Sequence, residues 1–358
     1  MQEVSYHPLE LLSLTTNTTK PTQTILSFAL ASITLSALSN NAPEATATSA
    51  PRFSLIGYAS TEGGTTGGKG GPTNTVSTAK EFRVAVGTAG PFNILVSGPI
   101  DLGSNTVKIT ANKTDIGLGS HAGFTGHIFF EGVSNIILRN LSFTNPQGVG
   151  QEMGGGDGMT ANAAHHVWVD HCDFSECADG QFDITHGSDF FTVSWCKFSS
   201  TNEANDHRLS MLIGNKDTLG DEDSGKLHVT LHHHWIGDLV QDRTPRVRFG
   251  QVHVFNNYHG AKDINTCIGL GCGNQVLAES CDFDGMKRPW RSRSEPNGTE
   301  GPIQWNHDNV YNHPKLTIEG TNSVVFKPTC AYKLDAGNSV KDLVMKNAGV
   351  GQGPFAAK

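Results

Sequence analysis

Five eight-residue segments of this chain can be written over one another: VWVDHCDF (167–174), FTVSWCKF (191–198), VTLHHHWI (229–236), VHVFNNYH (252–259) and VLAESCDF (276–283). Each opens on alternating β-formers, passes through two small or polar positions and usually closes on an aromatic or aliphatic residue. Their sixth positions, Cys172, Cys196, His234, Asn257 and Cys281, are separated by 24, 38, 23 and 24 residues. The step is therefore 23–24 residues with one insertion, and an earlier copy, IILRNLSF (136–143), lies 31 residues upstream. No helical period survives in these segments, and with 41 Gly in 358 residues long helices are disfavoured. Short strands at this interval suit hairpins of a sandwich or coils of a solenoid. One residue type recurring at one position favours the solenoid, where each coil lies over the last at about 4.8 Å. The expected fold is all-β: a right-handed, single-stranded parallel β-helix in which Cys172 and Cys196 are stacked neighbours, near enough for a disulfide to be considered.

The open end of such a solenoid has to be covered. Thr78-Ala-Lys-Glu81 has capping-box spacing and is followed by Phe82, Val84 and Val86, which predicts a short N-terminal capping helix. Residues 25–38 form an apolar stretch too short to span a bilayer, followed by small-residue cleavage sites. Residues 1–50 are expected to be a secretory leader or a polar disordered segment, and 51–358 one β-helix domain. No other stretch is apolar enough to cross a membrane. The seven Cys lack the paired C-x-x-C spacing of a structural zinc site. A net charge of −8 argues against a general nucleic-acid binder.

Chemistry-bearing residues fall in three places. Asp179 and Asp183 are four residues apart, an even spacing that puts both on one face of an extended strand, and Asp157 precedes Asp179 by 22 residues, close to one coil. Three carboxylates on one face, with no His or Cys at matching positions, suit Ca²⁺; solvated turn aspartates are the alternative. In Arg243-Thr-Pro-Arg246-Val-Arg248, Arg246 and Arg248 share a face, a strip able to grip planar carboxylates or to pair with nearby Asp. Arg208, in DHRLSMLIG (206–214), offers a fourth cation. Acids that hold a cation beside an arginine strip suit a polymer bearing carboxylates, such as polygalacturonate. The implied reaction is proton abstraction α to a carboxylate followed by β-elimination.

NKTDIGLG (112–119), VWVDHCDFS (167–175), DGQFDITHGSDFFTVSW (179–195), DHRLSMLIG and RTPRVRFGQVHVFNNY (243–258) together resemble the pectate lyase family of polysaccharide lyases, over roughly residues 52–310. The resemblance implies the same parallel β-helix. It implies that Asp157, Asp179 and Asp183 bind Ca²⁺ and that Arg243 abstracts the proton. It further implies that Arg246 and Arg248 bind substrate, as does Arg208 where many members have Lys. Asp115 stands where a hydrophobic residue is usual and reads as structural, and Asp170 and His171 read as support for the coil. Arginine's ordinary pKa of about 12.5 implies an alkaline optimum. The expected protein is a secreted, monomeric, calcium-dependent pectate lyase acting on pectin of plant cell walls, with no nucleic-acid or membrane partner. The rivals are a calcium-independent pectin lyase on esterified substrate, a non-catalytic pectin-binding β-helix and a hydrolase on the same fold.

Overall fold

The computed structural model describes residues 52–357 apart from 151–155, 262, 263, 265, 294–297, 306 and 307, so the expected leader lies outside the described residues. The chain visits three sheets in rotation. Phe92–Val96 lies in the first, Pro99–Asp101 in the second and Val107–Lys108 in the third. Lys113–Gly117 then returns beside Phe92–Val96. Repetition builds sheets of ten, nine and eight described strands, and the strand pairings within them are parallel. This is the expected single-stranded parallel β-helix, wound in the right-handed sense that parallel crossovers take.

The sixth position of each repeat is an inward ladder at the corner between the first and second sheets. The Cys172 N–H donates to the Cys196 sulfur at 3.4 Å, the Cys196 N–H to His234 Nδ1 at 3.1 Å, and the His234 N–H to Asn257 Oδ1 at 2.8 Å. Each coil thus satisfies the corner N–H of its neighbour, which explains why small polarisable or polar residues recur there. The fifth position makes the bend itself. Asn140, His171, Trp195, His233, Asn256 and Ser280 all adopt φ between 47 and 58°, a left-handed conformation that Asn tolerates and the others hold against a cost of about 1–2 kcal/mol each. Inside, Phe143, Phe174 and Phe198 stack ring over ring at 5.0 and 5.1 Å. Cys172 and Cys196 remain free thiols, as do the other five cysteines.

The helix Ala79–Gly87 has the predicted capping box: the Glu81 N–H donates to Thr78 Oγ1, and the Thr78 N–H donates back to the Glu81 carboxylate. Phe82 packs on Phe124 at 4.3 Å between ring centres, while Arg83 donates to the carbonyls of Leu102, Asn105 and Thr106, so the helix closes the first coil. Val84 faces solvent.

The outer faces are treated differently. Both terminal segments cross the first sheet: the Tyr58 and Ala59 N–H groups donate to Thr230 and Thr192, and Asp335 receives His233 and Arg52. The helix Val340–Asn347 packs against Tyr258 and Trp235 of the second sheet. The third sheet carries a cleft. Among the described residues no helix is long and apolar enough to cross a membrane.

Candidate active site

Register along the third sheet places Phe129, Thr160 and Asp183 side by side on successive coils, and Leu212 beside Arg246 further on. These side chains floor a cleft of about 770 Å³ that is also lined by Asp157, Asp179, Arg243 and Arg248. Its wall comes from the insertion between the second and third repeats, where Asn215 and Lys216 follow the strand Leu212–Ile213. Asn215 donates to His186 Nε2 at 3.0 Å, and His186 Nδ1 faces Glu222 at 3.2 Å.

The three predicted acids meet here. Asp157 is fully buried; its Oδ1 accepts the Gly180 N–H at 2.8 Å and its Oδ2 accepts the Thr160 hydroxyl at 2.8 Å. Asp183 accepts the Leu212 N–H at 3.0 Å. Burial, reinforced by the Asp183 charge, lifts Asp157 well above the carboxylate range. Burial likewise raises Asp183 to about 7, against the opposing pull of Arg243. Asp179 precedes the strand Phe182–Thr185 and points its Oδ1 into the site without a hydrogen-bond donor. Between the acids, glycine is required for space: a side chain at Gly180 would begin 2.6 Å from Asp183 Oδ1 and 2.9 Å from Asp157 Oδ1.

The arginines divide by environment. Arg243 Nη1 lies 3.8 Å from both Asp179 Oδ1 and Asp183 Oδ2, so it is associated with two carboxylates but locked to neither. Arg246 reaches the carbonyl of Arg293 through Nη2 at 3.0 Å. Arg248 is 5% exposed; its Nε pairs with Asp217 and its Nη1 donates to Gly214 at 3.1 Å, while Gly271 leaves room for its Cγ. It is a fixed wall more than a mobile hook. Arg208 is not brought to the cleft lining: its Nε donates to the Leu239 carbonyl and its Nη1 to those of Glu203 and Asn205. The motif carrying it follows directly on a loop whose carbonyls claim the guanidinium.

The residues present fit an oxygen-ligated divalent cation. The unclaimed Asp179 oxygen, the space over Gly180 and the mutual repulsion of Asp157 and Asp183 all call for positive charge at one point. Among the described residues no three His, Cys, Asp or Glu side chains are grouped closely enough to hold a metal ion by themselves. A Ca²⁺ ion, which takes six to eight oxygens, would complete its shell from water or substrate.

Sequence reasoning missed Asp217, Asp242, Arg293 and the His186–Asn215–Lys216 wall. Asp217 lies three residues beyond the DHRLSMLIG motif and carried a readable hint, since a buried arginine needs a partner. Arg293 carried none.

A parallel β-helix with acids and arginines on one open face is the architecture of a polysaccharide lyase, and the comparisons bear this out. Residues 26–353 match the family model described as pectate lyase. Pectate lyase E of Dickeya chrysanthemi is 31% identical over 83% of this chain and 90% of its own length. The pectate trisaccharide-lyase of Bacillus licheniformis is 32% identical over 84% and 87%. A pectate lyase from a Bacillus species, solved with trigalacturonate, superposes with a TM-score of 0.63 at 26% identity over 84% of this chain and 99% of that one. The chain belongs to the pectate lyase family, a family of polysaccharide lyases.

Proposed function

We propose that the chain is a calcium-dependent pectate lyase that cleaves the α-1,4 links of de-esterified homogalacturonan by β-elimination and leaves 4,5-unsaturated ends. The observation that carries this reading is Arg243 poised 3.8 Å from two carboxylates on the floor of an open cleft. Asp157, Asp179 and Asp183 hold Ca²⁺. An ion held by these acids would supply positive charge beside the sugar carboxylates, which would make the neighbouring C–H more acidic. Arg243 faces the sugar, and its guanidine in the neutral form, which grows at alkaline pH, accepts the C5 proton. The electron pair of the C5–H bond becomes the C4–C5 double bond as the C4–O bond breaks, and the released oxygen takes up a proton. Arg246 grips a substrate carboxylate from the same floor, with Arg248 as fixed positive wall behind it. Arg208 joins only if substrate draws it from its loop carbonyls.

Support for the substrate class comes from the relatives, one named for a pectate trisaccharide product and one solved with trigalacturonate. A polymeric substrate of plant cell walls fits an enzyme that acts outside the cell, with residues 1–50 a secretory leader or a polar disordered segment and residues 51–358 one β-helix domain acting as a monomer. The test is ultraviolet absorbance of the unsaturated product on polygalacturonate at alkaline pH, with Ca²⁺ and then with excess chelator. A signal that vanishes with chelator supports the reading. One that ignores chelator and strengthens on esterified pectin overturns it in favour of a pectin lyase.

A further inference from the structure

Arg243 owes its position to a residue fifty positions downstream. Its φ of 60° places it in the left-handed region, where a side chain other than glycine is held only by surrounding contacts. The contact on its amide is Asp242, whose Oδ1 accepts the Arg243 N–H at 2.7 Å. The other oxygen of that carboxylate, Oδ2, is paired with Arg293 Nη2. Arg293 in turn is fixed by its main chain, because its N–H donates to the Leu270 carbonyl at 2.7 Å. Its own carbonyl accepts Arg246 Nη2 at 3.0 Å. The Arg293 side chain reaches Asp242 by lying across Gly269, where a Cβ would come within 3.2 Å of Arg293 Cγ and 3.3 Å of Arg246 Cγ. Absence of a side chain at residue 269 opens that path.

We infer that Arg293 is a positioning residue for the elimination: by orienting the Asp242 carboxylate it holds the backbone of Arg243 in the conformation that presents the guanidine to substrate. The inference rests on the reading of Arg243 as proton acceptor. This ion pair is 27% and 20% exposed and screened by solvent, so it contributes on the order of 1 kcal/mol to stability, and a merely structural pair would leave turnover untouched. A positioning pair behaves otherwise, because a displacement of about 1 Å at a reacting group can cost on the order of 100-fold in rate.

The experiment is steady-state kinetics on polygalacturonate with Ca²⁺, alongside thermal melts, for Arg293→Gln, Arg293→Lys, Asp242→Asn and the Arg293→Gln/Asp242→Asn double variant. Arg293→Gln is expected to lower kcat roughly 10- to 100-fold with KM nearly constant. Arg293→Lys, which retains the charge, recovers most of that loss. The double variant falls no further than Arg293→Gln alone, since the two residues act as one unit. Arg288→Gln, which removes a neighbouring arginine paired with Glu319, leaves kcat unchanged. An unchanged kcat in folded Arg293→Gln overturns the inference, and so do losses that multiply in the double variant. If Arg293→Gln fails to fold, Asp242→Asn decides it the same way, an unchanged kcat there overturning the inference. Arg243→Ala separates the two claims. Full activity in that variant overturns the proton-acceptor reading itself, whereas loss of activity there with normal Arg293→Gln overturns only the positioning role.

Discussion

The outer faces of the first and third sheets are built from the same coils, yet one is sealed and the other reactive. On the first sheet many of the polar groups are paired, although His232 Nε2 and His253 Nδ1 have no hydrogen-bond partner among the described residues, and segments from both ends of the described chain cross over them. Thr192 and Thr230 accept backbone N–H groups, His253 faces Glu279 at 2.8 Å, and Tyr332 donates to the same carboxylate at 2.8 Å. Burial pushes His232, His233 and His253 below the ordinary histidine value, so at neutral pH this face carries uncharged imidazoles. On the third sheet the acids Asp157 and Asp183 are buried beneath an open cleft, Asp179 Oδ1 has no hydrogen-bond donor among the described residues, and Arg243 stands between two carboxylates without closing on either. The difference teaches where function sits in a repetitive fold. Coils alone give a stable rod, and the catalytic face is the one on which charge is left unmatched until ligand arrives.

Removing the central cation should break this contrast most completely. Arg243→Ala is expected to lower kcat by about 10³-fold or more, within the range for loss of a proton-transferring group. The melting temperature should hardly move, because neither 3.8 Å contact is a locked ion pair. Product absorbance with a circular-dichroism melt checks both halves; retained activity would take the proton-acceptor role away from Arg243. Asp179→Ala comes next. It removes the acid whose oxygen has no donor, so calcium affinity measured by titration calorimetry should fall by at least about tenfold, or 1.4 kcal/mol. Stability without calcium should be unchanged or slightly higher, since repulsion among the acids is relieved.

On the sealed face the same kind of change should act on stability alone. Asp335 receives His233 Nε2 at 3.0 Å and Arg52 at 2.9 Å, and the imidazole first, then the guanidinium, hold its carboxyl at about 2. Asp335→Ala should cost about 2 kcal/mol at pH 7, the value of a hydrogen bond to a charged group, and leave kcat as it was. A carboxyl depressed on folding stabilises above its unfolded value of 3.8 and loses that effect as pH falls toward 2. The deficit of the variant in urea unfolding should therefore be constant from pH 7 to about pH 4 and shrink at pH 3. A deficit growing toward pH 3 would refute the assignment.

The sequence exposed the coil because its corner ladder is a local, once-per-turn requirement: Cys172, Cys196, His234 and Asn257 each accept the N–H one coil before or serve the coil after. The acids and the arginine strip were legible for a related reason, since their spacing is set by one strand or one turn of the solenoid. What stayed hidden depends on loop paths. Arg208 carries the right charge in the right motif, but the loop Glu203–Asn205 folds so that its carbonyls hold the guanidinium. The Asp242–Arg293 pair joins coils whose third-sheet strands are two apart, but the residues are 51 apart in the chain, and no periodicity connects them. The stacked cysteines were correctly placed as neighbours, yet stacking brought their sulfurs to backbone groups and left both as thiols.

A third location sharpens the comparison, because there a carboxyl is neither matched nor open to solvent. Asp115 points into the coil interior with both oxygens lacking a hydrogen-bond donor. Burial raises it to about 8, and the attraction of nearby Lys113 only partly opposes this. Lys113 gives its own hydrogen bonds to the carbonyls of Gly90 and Ala111, at 2.9 and 2.7 Å. An acid whose folded value is raised binds its proton more tightly in the native state than in the unfolded chain. No penalty therefore exists below the unfolded value of 3.8, and it grows as pH rises until it is complete above about 8. Asp115→Asn keeps the volume and removes the ionisation, but deprives Lys113 of its opposite charge, so the net gain should be small, about 1 kcal/mol. That gain should appear in urea midpoints at pH 9 and be absent at pH 4, with kcat unchanged at both. A gain equal at the two pH values would mean that packing rather than charge is at issue. A loss at pH 9 would mean that the Lys113–Asp115 attraction outweighs the desolvation, which would make this interior pair a stabilising element in the alkaline range where the enzyme is expected to work.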